Sequence, residues 1–316
     1  MKRRVLVTGG AGFTGSHVAD AFLAAGWAVT VIDNLGRGRL ENVPRGAEFR
    51  RLDTGSEEAR DLAVTGGFEV VTHLAAQVDV RVSVSDPVLD AEENVLTLLN
   101  LIEGARNGGV RRFVFSASGG VIYGERPPPH VETTPKLPIS PYGVTKLAAE
   151  YYLACYRHLY GMESVALRYA NVYGPRQDPH GEAGVVAIFG SRLRERRAIT
   201  IYGDGEQTRD YVYCGDVARA NLLAADAKLP EPDGSLDWPA FNIGTGIQTS
   251  VNQLADAMIA ASGVQVNVDH APERRGELRA NALTIGKAER VLGWRPEVSL
   301  HDGLRATYEW IVKEAD

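Results

Sequence analysis

Two cysteines in 316 residues, Cys155 and Cys214, are too few and too far apart to form a disulfide framework or a thiolate metal site. We expect both to be free thiols of a reducing compartment. The chain also lacks any ligand-spaced cluster of histidine, cysteine and acid, so no metal is expected. Positive charge is not in excess: 34 Lys+Arg against 40 Asp+Glu leave a net charge of -6, with the signs mixed along the chain. That argues against a nucleic-acid scaffold, which is usually basic, but local arginines still bind phosphate on an acidic protein. The opening MKRRVLVTGG is apolar only briefly before its glycines, so neither a signal peptide nor a membrane anchor is expected. The expected location is cytoplasmic. Internal repeats and low-complexity tracts are missing, and PPP at 127–129 reads as a short rigid loop. What is present, 44% hydrophobic content, supports a real core in one large or two modest domains.

RVLVTGGAGFTGSHVADAFLAAG reads as strand, glycine turn and helix. WAVTVIDN, AEFRRLD and FEVVTHLAA read as the second to fourth strands. ENVLTLLNLIEGARNGG is an amphipathic helix closed by glycines. RRFVFSAS is a fifth strand and MESVALRYANVYG a sixth. Strands alternating with helices over about 170 residues imply a parallel, doubly wound α/β sheet. After Gly174 the rhythm loosens. We expect residues 1–170, with about 212–244 returning, to form one domain, and 171–211 with 245–316 to form a smaller one closing over the carboxyl ends of the strands, where open α/β sheets bind ligands.

The glycines of GGAGFTG, Gly9, Gly12 and Gly15, stand between the first strand and its helix. There they allow close approach of a pyrophosphate to the backbone and to the free N–H groups of a helix N-terminus. An ordinary tight turn needs glycine too, but the position at the start of a strand–helix unit favours a dinucleotide. Asp33 ends the second strand, eighteen residues after Gly15. A carboxylate there accepts from ribose hydroxyls and repels a 2′-phosphate, favouring NAD; Arg37 and Arg39 close by leave NADP open. Asp53 follows the third strand, where it reaches the adenine or is simply solvated.

SPYGVTK at 140–146 sets a phenol four positions before an ammonium. Ser140 is a favoured N-cap and Pro141 a favoured first helical residue, so Tyr142 and Lys146 share one face of the first turns of a helix. Taken alone, Tyr-x-x-x-Lys is common by chance. Ser118 at the end of the fifth strand faces the same edge and gives the pair context. A phenol titrates near pH 10, and moving it to about 7 requires roughly 4 kcal/mol. A lysine cation about 5 Å away supplies about 3 kcal/mol at an effective dielectric near 20. Tyr142 therefore reads as a general base.

The ordered set TGGAGFTG, DN at 33–34, HLAAQ, the strand-end serine, YGVTK, RYANVYGPRQ, YGDGEQTRDYVY, NIGTG and RRGEL resembles the extended short-chain dehydrogenase/reductase family, and within it the nucleotide-sugar epimerases of the UDP-glucose 4-epimerase type. The resemblance runs over almost the whole chain. It implies a cytoplasmic, usually dimeric enzyme with tightly held NAD, and a seven-stranded Rossmann domain carrying a small C-terminal substrate domain. It implies that Gly9, Gly12, Phe13, Thr14, Gly15, Asp33, Asn34, Asp53, Thr54, Leu74, Ala75, Ala76, Gln77, Asn94, Tyr142, Lys146 and Tyr169 line the cofactor, and that Ser118, Tyr142 and Lys146 are catalytic. Ser118, Tyr142, Asn171, Val185, Val186, Tyr202, Arg209, Arg274, Glu277 and Asn281 would meet the nucleotide sugar. Arg209 and Arg274 would clamp the diphosphate, as a desolvated diphosphate requires. The chain departs from the family pattern at Thr14, at DTGS after the third strand, and at Cys214–Gly215.

The activity implied is epimerisation at the sugar C4 through a 4-keto intermediate, with UDP-glucose, N-acetylglucosamine and glucuronate nucleotides all open as substrates. A dehydratase or decarboxylase of the same family is disfavoured because Gly119 and Gly120, not acids, follow Ser118. A non-catalytic dinucleotide sensor is disfavoured because the Tyr–Lys pair is kept. Asn281, at the family position that faces the C2 substituent, is small enough to admit N-acetyl sugars; the competing reading is a residue that caps a turn and points away.

Overall fold

The computed structural model describes residues 2–179, 184–273 and 278–314. Along the chain run β1 (Arg4–Thr8), α1 (Phe13–Ala24), β2 (Ala28–Asp33), β3 (Glu48–Arg51), α2 (Glu57–Thr65), β4 (Val70–His73), α3 (Val80–Ser85), α4 (Pro87–Ala91), a π-helical turn over Glu92–Leu96, α5 (Thr97–Asn107), β5 (Arg112–Ser118), α6 (Pro141–Tyr160) and β6 (Glu163–Tyr169). There follow β7 (Asn171–Tyr173), α7 (Val185–Arg194), β8 (Ile199–Tyr202), β9 (Thr208–Arg209), β10 (Tyr211–Tyr213), α8 (Cys214–Asp226), β11 (Ala240–Ile243), β12 (Thr249–Ser250), α9 (Val251–Ser262), β13 (Val268–Ala271), α10 (Gly286–Leu292) and α11 (Leu300–Lys313).

Seven strands form one parallel sheet in the order β11-β6-β5-β4-β1-β2-β3. The strand order reverses between β1 and β4, which opens a crevice at their carboxyl ends. Both faces of the sheet are covered, so its central strands are largely apolar while the edge strand β3 reads EFRR, and successive residues serve different cores. Val5 and Val7 pack with Phe22 of α1 and with Val217 and Ala224 of α8; Leu6 and Ile32 pack on the other face with Ala59 of α2, Leu101 of α5 and Leu153 of α6. The architecture is thus the doubly wound Rossmann type. A third core lies apart from the sheet, where Phe189 and Leu193 of α7, Leu254 and Met258 of α9 and Leu304 of α11 cover Ile199 and Ile201 of β8. Residues from the distal part of the chain reach back: Leu283, Leu292 and Trp294 belong to the first core.

Two elements differ from the expectation. The stretch MESVALRYANVYG is not one strand. It breaks at Ala170, whose N–H donates to Ile243 of β11, while the next N–H, of Asn171, donates to the carbonyl of Asp210. The chain changes partners there, and β7 pairs with β10 outside the main sheet. The helix expected from 93 begins earlier, because Asp79 and Asp86 accept from Arg81 and Leu89 backbone N–H groups and cap α3 and α4.

Candidate active site

The glycine turn is packed to backbone distance. Gly9 has φ +66°, and a Cβ there would lie 2.8 Å from the Ala75 nitrogen; a Cβ on Gly15 would lie 2.1 Å from the Gly9 carbonyl oxygen. Neither neighbour can give way, so both positions need glycine. Gly12 is the N-cap of α1 and has no side-chain cap. The first turn, Phe13–Gly15, thus presents its N–H groups uncapped at the crevice, with the positive end of the helix dipole behind them.

Thr8 joins this turn to the loop after β4. Its Oγ1 accepts from the N–H groups of Leu74 and Ala75, each at 3.1 Å, and lies 2.8 Å from His73 Nδ1. Both lone pairs are used, so the hydroxyl donates to Nδ1, and His73 carries its proton on Nε2. Burial, reinforced by the Lys146 cation, pushes the His73 pKa down to about 3. The imidazole is neutral and serves as an orienting acceptor.

Asp33, buried at the end of β2, accepts from Leu35 N–H at 2.8 Å on Oδ1 and from Ala11 N–H at 3.1 Å on Oδ2. Asn34 donates to Asp53 Oδ2 at 2.8 Å, so the ends of β2 and β3 are tied together. Thr54 beside them is buried, and its carbonyl accepts from Asn100. Arg37 and Arg39 are exposed, and Arg39 lies 3.9 Å from Glu41.

At the start of α6, Ser140 accepts from Gly143 N–H at 3.2 Å and Pro141 takes the first helical position, as the sequence implies. Tyr142 and Lys146 are both buried, at 9% and 3% exposure. Lys146 Nζ donates to the Ser116 carbonyl at 3.1 Å and sits 4.9 Å from the Phe115 ring centre and 5.7 Å from that of Tyr142. Ser118 ends β5 in register with Tyr169 of β6, and the following Gly119 N–H donates to the Tyr169 carbonyl. The Tyr169 phenol is turned into the core, where its oxygen accepts from Asn221 at 2.7 Å and burial raises its pKa. Below α6, Arg168 is fully buried and paired with Glu150, at 2.6 and 3.0 Å, and with Asp237 at 2.7 Å, which seats the helix on β6.

Of the residues expected to meet a nucleotide sugar, Asn171, Val185 and Val186 surround one cavity of about 30 Å³ together with Gln177 and Tyr211. Val186 is otherwise a member of the third core. Tyr202, 37% exposed, ends β8, and Arg209 lies in β9 with Nη1 donating to the Thr208 carbonyl. Asn281 is buried. Its Nδ2 donates to the Gly119 carbonyl at 3.3 Å, next to Ser118, and among the described residues its Oδ1 has no partner. It therefore points to the serine loop and does not cap a turn. Arg274 and Glu277 lie outside the described residues.

Sequence reasoning missed Thr8, His73, Asp90 and Gln177. The signal for the first two was position, since each is a polar residue closing the carboxyl end of a valine-rich strand. Asp90 and Gln177 carried none: two of the three partners of Asp90 are 13 and 55 residues away, and Gln177 lies on irregular backbone.

The chain matches the model of the NAD dependent epimerase/dehydratase family over residues 5–244. It is 43% identical over 313 residues to the UDP-glucose 4-epimerase of Mycolicibacterium smegmatis, covering 97% of this chain and 98% of that one. Among solved structures it is similar to the UDP-glucose 4-epimerase of Thermotoga maritima with UDP-glucose, at 45% identity and TM-score 0.93, covering 99% of this chain and 100% of that one. It is also similar to the Thermus thermophilus UDP-glucose 4-epimerase in complex with NAD, at 46% identity and TM-score 0.89, covering 97% and 98%.

Proposed function

We propose that this chain, which belongs to the NAD dependent epimerase/dehydratase family, inverts the C4 hydroxyl of a UDP-hexose. It interconverts UDP-glucose and UDP-galactose through a transient 4-keto sugar and is an isomerase. The observation that carries this reading is the Tyr142–Lys146 pair, buried on α6 at the same sheet edge as Ser118 and the glycine turn.

The residues fit NAD. Gly9, Gly12 and Gly15 draw the turn so tight that a Cβ on any of them would meet backbone, the first turn of α1 has no side-chain cap, and Asn94 offers a buried, unpartnered carbonyl oxygen among the described residues. Phe13, Thr14 and Gly15 would take the pyrophosphate, Asp33 and Asn34 the adenosine ribose, and Asp53 and Thr54 the adenine side. Leu74, Ala75, Ala76, Gln77 and Asn94 would line the remainder, with Tyr169 contributing backbone only, since its phenol is turned into the core. The Asp33 carboxylate disfavours a 2′-phosphate. Bound NAD supplies a reversible two-electron acceptor, so C4 is oxidised and reduced again with no net redox change.

The protein's own part is proton transfer and orientation. Tyr142 takes the C4 hydroxyl proton and later returns it. Lys146, held by the Ser116 carbonyl, stabilises the phenolate. Ser118 hydrogen-bonds the same sugar oxygen. Asn171, Val185, Val186, Tyr202, Arg209, Arg274, Glu277 and Asn281 hold the nucleotide sugar. With Gly119 and Gly120 after Ser118, no acid stands there for an elimination at C5 or C6, which disfavours a dehydratase. Asn281 leaves room for an N-acetyl group, and its unpartnered Oδ1 favours a substrate donor, so the N-acetylhexosamine forms are also turned over.

We divide the chain into a cofactor domain of 1–170 with about 212–244, and a nucleotide-sugar domain of 171–211 with 245–316, from which 283–294 reaches back to the sheet. A homodimer is the assembly we propose. Large apolar side chains stand exposed along neighbouring helices, with Val88 and Leu89 on α4, Leu96 in the π turn, and Val144, Tyr151 and Leu159 on α6. A groove of about 560 Å³ between Pro87, Ala91 and Pro138–Val144 interrupts that face. A second copy would cover it by two-fold symmetry. Two free cysteines agree with the cytoplasm, and among the described residues no helix is long and apolar enough to cross a membrane.

The test is a panel of UDP-glucose, UDP-N-acetylglucosamine and UDP-glucuronate with the purified protein and no added cofactor. UDP-galactose formed from UDP-glucose is the expected result, and the absence of any C4-inverted product from the panel would overturn the reading.

A further inference from the structure

Three side chains bordering the cofactor groove converge on one carboxylate that the proposed reaction does not use. Asp90, on α4, is completely buried. Its Oδ1 accepts from Gln77 Nε2 and from Asn94 Nδ2, each at 3.0 Å, and its Oδ2 accepts from Thr145 Oγ1 at 2.8 Å. Gln77 belongs to the loop after β4, Asn94 to the π-helical turn, and Thr145 to the first turns of α6, immediately before Lys146. Removing a carboxylate from water costs several kcal/mol, and a well-packed apolar residue is often at least as stable in such a place. The group thus calls for a role beyond holding the helices together.

Asn94 supplies one. Its Nδ2 faces three acceptors: the Gln77 carbonyl at 2.9 Å, Asp90 Oδ1 at 3.0 Å and Thr145 Oγ1 at 3.3 Å. Two of these can only accept, so the amine end of the amide must point at them and the carbonyl end must point away. Among the described residues Asn94 Oδ1 is buried and has no partner. An unmet buried acceptor is destabilising, and an N–H or O–H donor on a bound dinucleotide would recover that loss. The π-helical turn over Glu92–Leu96 holds Asn94 in this position, and such single-turn irregularities gather at functional sites.

We propose that Asp90 is a positioning residue: its carboxylate orients the Asn94 amide so that Oδ1 is offered to the dinucleotide. Through Thr145 it ties the turns carrying Tyr142 and Lys146 to the same anchor. The proposal rests on the reading of this site as an NAD site.

The test compares wild type with Asp90→Ala, with Asp90→Asn, which keeps the size but loses one acceptor, and with Thr145→Val, which removes a single arm. Each is assayed at 25 °C for folding by circular dichroism, for NAD released per chain, for NAD affinity of the stripped protein, and for kcat and KM with UDP-glucose. Asp90→Ala is expected to lose about tenfold or more in NAD affinity and about tenfold in kcat at saturating NAD, while KM for UDP-glucose moves less than about twofold. Adding Thr145→Val to Asp90→Ala should cost little more, because the arm it removes is already lost. If Asp90→Ala does not fold, Asp90→Asn and Thr145→Val carry the same comparison, with smaller losses of the same kind. Folded variants that keep wild-type NAD affinity and kcat, and show only a lower melting temperature, would overturn the proposal. A wild type that binds no NAD would instead bring down the reading of the site on which it rests.

Discussion

The carboxyl edge of the sheet carries two regions assembled in different ways. On the cofactor side, Thr8, Asp33, His73, Asp90 and Lys146 are buried, and each has its hydrogen bonds within the protein. They sit at the ends of adjacent parallel strands or on helices packed against them, so the register of one sheet sets their spacing. On the side we propose for the sugar, Asn171, Tyr202 and Arg209 stand on strands of two to four residues, in three separate two-stranded pairings that join distant parts of the chain. The Arg279–Asp204 ion pair next to them is exposed on both sides, where such pairs contribute little. The difference suggests a division of labour: rate resides in the preorganised side, where groups need no rearrangement as charge develops, and substrate choice in the side assembled from short segments.

Three substitutions test that contrast. Glu150→Ala strands Arg168 in the core under α6, with Asp237 as its one remaining charged partner among the described residues. Loss of one partner of a buried pair costs about 3–5 kcal/mol, and the remaining Asp237 contact puts the expected loss near the lower end, measured by urea unfolding. A change under about 1 kcal/mol would show that the cofactor side is not anchored through this network. Gly15→Ala drives a Cβ against the Gly9 carbonyl, and overpacking of this kind costs about 1–3 kcal/mol. The variant should melt lower and purify with little dinucleotide. Stoichiometric NAD in that variant would mean the turn is less tightly packed than the 2.1 Å approach implies. Asn281→Tyr addresses the sugar side and should have the smallest and most selective effect. It should lower turnover of the N-acetyl substrates about tenfold more than that of UDP-glucose, about 1.4 kcal/mol. Equal losses on both, or none, would remove Asn281 from substrate choice.

The two sides were also unequally legible in the sequence. The glycine turn, the strand-end Asp33 and Ser118, and the Ser140–Pro141 cap that aligns Tyr142 with Lys146 are local patterns, and the fold keeps all of them. Their geometry depends on neighbours within a turn or two, so spacing alone carries it. The break at Ala170 has no such local sign, because RYANVYG is uniformly strand-like and only the distant Ile243 and Asp210 backbones divide it. The Asp90 cluster is hidden for a similar reason: Asn94 is four residues away, but the other two donors lie 13 residues before and 55 residues after it. One of the three acids in PVLDAEENV, Asp90 looks like part of a solvated helix face. The cofactor side could thus be read in outline but not in its supporting bonds.

The most direct test of the central claim, that the preorganised side performs the chemistry, is Tyr142→Phe examined for bound NAD and for turnover in one preparation. The ring, its packing and the Lys146 contacts remain, and only the ionisable oxygen is lost. General acid–base catalysis contributes about 10²–10⁴-fold, so the variant should hold NAD as the wild type does and lose at least about a hundredfold in kcat with UDP-glucose. Ser118→Ala, which removes a hydrogen bond but not the base, should lose less. A Tyr142→Phe enzyme that holds NAD and keeps more than about a tenth of the wild-type rate would contradict the account.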